Sequence, residues 1–538
     1  MGLSAFRVAA SSAARLAGHP PADPVAGPPG VRDAAGRLFI DVSPILRSAP
    51  GRVLFPRVLD VMEARSAAVL RGTFDDPRLE VRTSWWPAVR RFAAVAARYR
   101  IPVTAAEALV SPAAARRRLR RIVAALQARV PVPGSASPRD RLDDVVASLA
   151  IAPVLPRVAP PVAAGFALFG LAARLLGADA QPGDLPTVLR GLPHNVTTEM
   201  DLDLWRLATT VRADPAAAAA LRGEPAAELA ERYRAGTLPA VLQDGLRGFL
   251  DRHGHRAVAE IDVGVPRWAE DPTHILGVLA NYLRLDDPDK APDAVFARAV
   301  EQAEDMVATL TARARRRGRV RGRVVGFALD RTRQLAGMRE LPKYCIVLLL
   351  ARARAQLRAV GEELVGAGRL ARADDVFFLD LREVAAAIDG RDLRDVVPAR
   401  RASYDRELGR RHIPRVLLSD GTEPEARTDL PAADGALVGT AASPGTVTGP
   451  ARVVLEPAGA HLSPGEILVA PSTDPGWTPL FLTAGGLVME MGGANSHGAV
   501  VAREYGIPAV VGVPGATARI TTGRQLTVDG TRGLVTVA

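Results

Sequence analysis

Across this chain of 538 residues the apolar periodicity changes once, near residue 436. Before that point apolar residues recur every three to four positions, the period of a helix with one buried face. After it, six short β-branched runs stand between glycines, at 451–455, 466–470, 486–490, 509–512, 525–529 and 533–537. Runs of that length bounded by glycine read as strands. The two patterns require separate cores. The expected fold is therefore multidomain, a large mainly α-helical domain followed by a small C-terminal α/β domain with a barrel or sandwich-like sheet. Length agrees, because single cores stop growing at roughly 250–300 residues.

The boundaries follow composition. Residues 1–45 are rich in Pro, Gly and Ala and read as a lead-in segment rather than a packed unit, with one short strand at 36–42. Residues 46–425 carry the helical period, with helices predicted at 55–68, 85–99, 105–130, 142–150, 162–176, 202–212, 225–235, 241–252, 272–284, 292–317, 341–367 and 381–387. The polar stretch at 426–435 is a linker, and 436–538 form the last domain. A small domain on such a linker is built to move.

Several classes of function are set aside. The single cysteine, Cys345, excludes an internal disulfide and a multi-cysteine metal site, and its apolar neighbours predict a buried thiol. Its net charge of +11 comes from arginine clusters at 116–121 and 313–323. No aromatic residues interleave with them, so they read as solvated helix faces and not as a nucleic-acid surface. The start lacks the order of a signal peptide. The most apolar stretch, 162–178, contains Arg174 and falls short of the roughly 20 residues a membrane span needs. It is expected to be a buried helix, with no membrane contact and a cytoplasmic location.

The chemistry concentrates in Gly492-Gly493-Ala494-Asn495-Ser496-His497-Gly498-Ala499-Val500-Val501-Ala502-Arg503-Glu504. A glycine turn follows a strand, Asn495 or Ser496 can cap the next helix, and His497 falls in its first turn. Unpaired N–H groups and the positive helix end favour a phosphate held there. An imidazole near its reference pKa of about 6.5 is largely neutral at pH 7, leaving one nitrogen free to attack phosphorus. A histidine that only caps or packs is the plainer alternative for such a residue taken alone. Only two lysines occur, Lys290 and Lys343. Arg339 and Lys343 stand four apart at a predicted helix start, where two cations can hold a transferring phosphoryl group and Lys343 can assist an acceptor hydroxyl. An ion pair with Glu340 or another acid is the alternative. Glu199, Arg256, Glu260 and Asp262 form a weaker set, shared between substrate contacts and structural salt bridges. His253 and His255 lack a third ligand, so no metal is expected.

Together with Gly445, Gly449, Thr473-Asp474-Pro475-Gly476-Trp477, Gly506-Ile507-Pro508-Ala509-Val510-Val511-Gly512 and Asp529-Gly530, the histidine motif resembles the swivelling phosphohistidine domain of phosphoenolpyruvate synthase, pyruvate phosphate dikinase and rifamycin phosphotransferase. The resemblance covers about 436–538. It implies that His497 is transiently phosphorylated and that Thr473 and Asp474 shape its surroundings or form a structural turn. Upstream, Gly36-Arg37-Leu38-Phe39-Ile40-Asp41-Val42, Asn195-Val196-Thr197-Thr198-Glu199-Met200, Gly254-His255-Arg256-Ala257-Val258-Ala259-Glu260-Ile261-Asp262 and Arg339-Glu340-Leu341-Pro342-Lys343-Tyr344 resemble the antibiotic-binding domain of the rifamycin phosphotransferase family.

That resemblance implies a dikinase-type phosphotransferase that splits ATP to AMP and phosphate and passes a phosphoryl group to a hydroxyl of a large apolar ligand. It implies Glu199, Arg256, Glu260, Arg339 and Lys343 as substrate-side residues. The family also needs Mg-ATP on an ATP-grasp domain, and no Gly-rich phosphate loop followed by lysine occurs here. The expectation is an ATP-grasp partner in trans, with a fragmentary chain or a lost reaction as alternatives. The rival functions are the same relay with another acceptor and a non-catalytic, ligand-sequestering protein.

Overall fold

The computed structural model describes residues 1–16, 18, 30–34, 37–62, 64–130, 136–181, 183–285, 287–408, 414, 416–424, 436–457, 460, 462–473, 477–493 and 496–538. The predicted linker at 426–435, most of the glycine- and proline-rich lead-in, Asp474 and Asn495 lie outside the described residues.

The first residues correct the lead-in expectation. Gly2–Leu16 is a helix whose buried face carries Ser4, Val8, Ser11 and Ser12, a helical spacing hidden by their small polar side chains. Val8 enters a core with Leu142, Val145, Leu149, Leu357, Val360 and Val384. The Ser4 and Ser12 hydroxyls accept from the Leu381 and Ala152 amides at 3.4 and 3.2 Å. The amino terminus of Met1 donates to the Phe377 carbonyl at 3.0 Å. The strand expected at 36–42 is present as β2 (Arg37–Ile40), paired antiparallel with β1 (Val31–Ala34).

Long helices build the middle of the block, among them Leu155–Leu176, Pro292–Arg317, Arg319–Ala336 and Leu341–Gly366. The helix predicted at 105–130 is two, Ile101–Val110 and Pro112–Gln127, because Ser111 caps the second and Pro112 opens it. Arg319–Ala336 is an unpredicted helix; its arginines masked its period. Those arginines tie elements together: Arg313 pairs with Asp184 at 2.6 Å, Arg317 with Asp179 at 2.9 Å, and Arg321 donates to the Leu175 carbonyl.

Leu155–Leu176 runs through Pro160 and Pro161, so it starts earlier than predicted. The stretch Ala152–Asp179 is 28 residues long and contains an 18-residue window of mean hydropathy 1.6, apolar enough by length and composition to cross a membrane; only 28% of that window is buried, less than the buried helix expected there. Val158, Ala172 and Leu176 pack it against neighbouring helices. A Cβ on Gly165 would stand 2.9 Å from Leu335 Cβ, and Thr332 Oγ1 donates to the Gly165 carbonyl at 3.1 Å. Glycine is what lets these two helices approach.

The C-terminal domain is the predicted small α/β unit. Its strands are β3 (Leu437–Val438), β4 (Thr440–Ser443), β5 (Thr446–Val453), β6 (Ile467–Ala470), β7 (Gly486–Met489), β8 (Ala509–Val511), β9 (Gln525–Asp529) and β10 (Leu534–Val537). They form an eight-stranded sheet in the order β3-β10-β9-β5-β6-β7-β8-β4, parallel from β5 to β8. The edge strands β3 and β4 are separated only by Gly439, so the sheet rolls until its edges meet as a barrel. Gly439 N–H donates to the Gly533 carbonyl at 2.9 Å, beside the β3–β10 pair.

The parallel strands are apolar on both faces, as strands covered on both sides require. Ile467, Val469, Val488 and Val510 fill the interior. Leu468, Ala470, Leu487, Met489 and Val511 face outward into a second core shared with Met200, Leu204, Trp205 and Tyr282 of the helical block. The two domains are thus docked through one continuous apolar interface.

Gly165→Ala should destabilise the chain by about 1–3 kcal/mol through overpacking against Leu335. Urea unfolding would show a lower midpoint; an unchanged midpoint would mean the helices are not in close contact there.

Candidate active site

The strand β7 ends at Met489, and Gly492 turns the chain with φ +119°, a conformation that favours glycine. Ser496 is the extended N-cap residue of the helix His497–Glu504, and its hydroxyl donates back to the Gly493 carbonyl at 2.9 Å. It makes no side-chain bond that caps the helix, whose first turn presents N–H groups of the kind that hold an anion. A Cβ on Gly498 would fall 2.5 Å from Met489 Sδ and closer still to Thr473 Oγ1. Thr473 thus lies against the first turn, one residue from His497.

At the other end of this helix stands a residue the sequence reading quoted without a role. Glu504 is 1% exposed, and among the described residues the hydrogen-bond donors to its carboxylate come from the helical block. Asn195 Nδ2 donates to both oxygens, at 2.9 and 3.1 Å; Thr198 Oγ1 donates at 2.9 Å; Arg339 Nη2 donates at 2.6 Å. Asn195 N-caps the helix Val196–Ala213, its side-chain oxygen accepting from the Thr197 amide at 3.0 Å, which orients its Nδ2 toward Glu504. Eight helical residues put the Glu504 Cα about 10 Å along the axis from that of His497.

Arg339 is thereby engaged at the domain junction. Its side chain is 14% exposed, its Nε has no hydrogen-bond partner, and Glu340 lies 3.9 Å away. Lys343 sits elsewhere, in a buried ion cluster built from the loop after residue 253. Arg256 donates twice to Glu260, at 3.0 and 3.2 Å, and Lys343 Nζ reaches the same carboxylate at 3.1 Å. Burial alone would raise the Glu260 pKa, but Arg256 and Lys343 outweigh it and hold the carboxyl at about 2. Burial, reinforced by Arg256, pushes His255 down to about 3 and keeps it neutral; its ring meets Tyr344 edge-on at 5.1 Å. Arg267 fastens the loop by donating to the Glu260 carbonyl at 2.9 Å. The Lys343 side chain remains 33% exposed, so it is the member of the cluster open to a ligand.

The structure thus brings Arg256, Glu260 and Lys343 together and sends Arg339 to Glu504. Glu199 joins neither group: it is exposed, opposite the buried face of its helix that carries Thr198 and Asp201. Asn195 and Thr198 were within the quoted motif, and helical spacing puts Asn195, Thr198 and Asp201 on one face. Glu504 carried a signal too, since an acid at a helix C-terminus opposes the macrodipole and needs a cationic partner.

A cavity of about 530 Å³ opens among Arg98, Tyr99, Arg100, Glu107, Arg118 and Arg157, away from both groups. Its lining is more polar than apolar. The Cys345 thiol is buried and pushed up to about 12 by desolvation, which makes it inert. Among the described residues no three His, Cys, Asp or Glu side chains cluster as metal ligands.

The C-terminal unit, a mixed sheet bearing a glycine turn and a histidine at a helix start, is similar to the mobile domain of PEP-utilising enzymes. Family models agree: the PEP-utilising enzyme mobile domain matches residues 462–533, and the rifampicin phosphotransferase fourth domain matches residues 157–340. A rifampicin phosphotransferase of Streptomyces sviceus is 38% identical over 356 residues, which is 65% of this chain and 41% of that protein. The rifampicin phosphotransferase of Bacillus subtilis is 33% identical over 357 residues, 65% of this chain and 41% of the relative. A prodigiosin synthesizing transferase of Serratia marcescens is 32% identical over 361 residues, 63% and 39% of the two chains. The chain spans about two fifths of the length of these curated relatives. Over about two thirds of its length the chain is similar to rifampicin phosphotransferases, and the two domain models match separate parts of it.

The low Glu260 pKa gives a pH prediction. A carboxyl held at about 2, against an ordinary 4.5, adds stability that is present above 4.5 and lost as pH falls from 4.5 toward about 2. Glu260→Gln should be less stable than the parent at pH 7, with the gap closing across that window in acid unfolding. A gap independent of pH would contradict the ion cluster.

Proposed function

We propose that this chain is the acceptor-binding and phosphohistidine portion of a dikinase-type phosphotransferase. His497 takes a phosphoryl group from ATP held on a separate ATP-grasp chain, then delivers it to a hydroxyl of a large, mostly apolar ligand such as a rifamycin. The observation that carries this reading is the start of a helix at His497 with its first-turn N–H groups uncapped, on a domain docked against the acceptor-type helical block. In this reading ATP and its magnesium are held by the partner.

In the transfer, a nitrogen of His497 bonds to the β-phosphorus of ATP as the bond from that phosphorus to the AMP oxygen breaks; water then attacks the γ-phosphorus, the β–γ anhydride bond breaks, inorganic phosphate leaves and the β-phosphoryl stays on the histidine. The N–P bond then breaks as the acceptor oxygen bonds to phosphorus, and the hydroxyl proton is released. The first-turn helix N–H groups stabilise the negative phosphoryl on the histidine. Lys343 supplies positive charge on the acceptor side. Its ion pair with Glu260, a carboxylate that Arg256 also holds, fixes its direction. Arg339, engaged by Glu504, contributes by seating the domain.

A second reading keeps the relay but changes the acceptor. The prodigiosin synthesizing transferase among the relatives favours it, because the matched region also occurs in a protein named for a different product.

The test mixes the chain with a cognate ATP-grasp polypeptide, β-labelled ATP and rifampicin. Label is expected on His497 and then on rifampicin, and His497→Ala should abolish both while leaving rifampicin affinity nearly unchanged. Label that stays on His497 would favour the second reading. Transfer that survives His497→Ala would contradict the relay.

A further inference from the structure

The junction between the domains contains two opposing sets of polar groups. One is the Glu504 carboxylate, which accepts from Asn195, Thr198 and Arg339. The other is a set of buried oxygens with no hydrogen-bond partner: both carboxyl oxygens of Asp201, the Tyr282 hydroxyl and the Tyr505 hydroxyl. Asp201 and Tyr282 belong to the helical block, and Tyr505 follows Glu504 directly in the histidine domain. Burial, with the Glu504 charge adding to it against Arg256, pushes the Asp201 pKa well up, and burial beside Asp201 does the same for Tyr282 and Tyr505. A small cavity of about 200 Å³ runs along the same junction, between Val295 of the block and Gly465, Thr483, Tyr505 and Ile507 of the histidine domain.

A permanent interface satisfies its buried polar groups, since each one left unpaired costs free energy. Here one carboxylate is fully satisfied across the junction while its neighbours are left without partners. Separation of the domains would return the Asp201, Tyr282 and Tyr505 oxygens to water, and would strip Glu504 of its three partners. The first change favours opening and the second favours closure.

We propose that Glu504 is the positioning residue that latches the histidine domain onto the helical block, and that the unpaired Asp201–Tyr282–Tyr505 cluster is a built-in counterforce that keeps the latched state reversible. The latch accounts for register as well as affinity, because its three donors sit on two separate elements, the start of Val196–Ala213 and the turn before Leu341–Gly366. A carboxylate can meet all three in only one orientation of its helix. Since His497 begins that same helix, fixing Glu504 fixes where His497 stands. If the phosphoryl relay proposed above holds, the latched state is the delivery state and the counterforce permits return for recharging.

The test needs neither ATP nor acceptor. Asn281 Nδ2 donates to the Ala460 carbonyl at 3.2 Å across the junction, so cysteines placed at both positions by Asn281→Cys and Ala460→Cys will form a disulfide at a rate that reports the docked fraction. In that background Glu504→Gln should slow disulfide formation about tenfold or more, as expected when a buried, hydrogen-bonded charge pair loses one partner. Thr198→Val, on the other domain, should slow it about threefold by removing one donor. Tyr505→Phe, added to Glu504→Gln, should recover about fivefold by deleting one unpaired hydroxyl. Parent-rate crosslinking in both Glu504→Gln and Thr198→Val would overturn the latch, and Thr198→Val decides it alone if Glu504→Gln misfolds. No recovery with Tyr505→Phe would overturn the counterforce. Loss of phosphoryl transfer with normal crosslinking changes would instead fault the relay and leave the latch standing.

Discussion

One carboxylate, that of Glu504, determines how the two halves of this chain meet. A charge that is 1% exposed is costly to bury unless it is fully partnered, and here Asn195, Thr198 and Arg339 satisfy it from across the junction. The apolar contacts around it, Met200, Trp205 and Tyr282 against Trp477, Phe481 and Ile507, add area without direction. Direction comes from the ion pair and its hydrogen bonds. The position of the helix that His497 begins is therefore a consequence of where Glu504 is held.

The local chemistry of each domain prepares that meeting. Glycines at 492 and 498 let the turn and the first helical turn pass Ser496, Thr473 and Met489 at distances no side chain would allow. Asn195 caps its own helix with its oxygen and so presents its amide nitrogen outward. Behind the junction, the Arg256–Glu260–Lys343 cluster stiffens an irregular loop and leaves one ammonium partly open. Each of these groups does a structural task that also aims a functional atom.

Much of this was legible in the sequence, and the misses have physical causes. The change of period near residue 436 located the sheet, and the spacing of glycine, serine and histidine located the helix start. Pro215–Gly223 and Val397–Leu408 were not foreseen, an arginine-rich face disguised the period of Arg319–Ala336, and a Ser-Pro step at Ser111 divides what read as one helix. The lead-in helix was missed because its buried face is serine. At the site, Lys343, Arg256 and Glu260 were found together, whereas Glu199 points to solvent from the same helix as Thr198. Pairings such as Arg339 with Glu504, 165 positions apart, depend on tertiary docking that no local pattern encodes.

The account rests on direct coupling between Glu504 and Arg339, and a double-mutant cycle measures it. Glu504→Gln, Arg339→Met and the double variant would be compared in urea unfolding. Each single change should destabilise the chain, and the double should cost less than their sum by about 1.5 kcal/mol or more, the coupling expected of a close, desolvated charge pair. Strict additivity would contradict the latch, because it would mean that the two side chains do not act on each other in the folded protein.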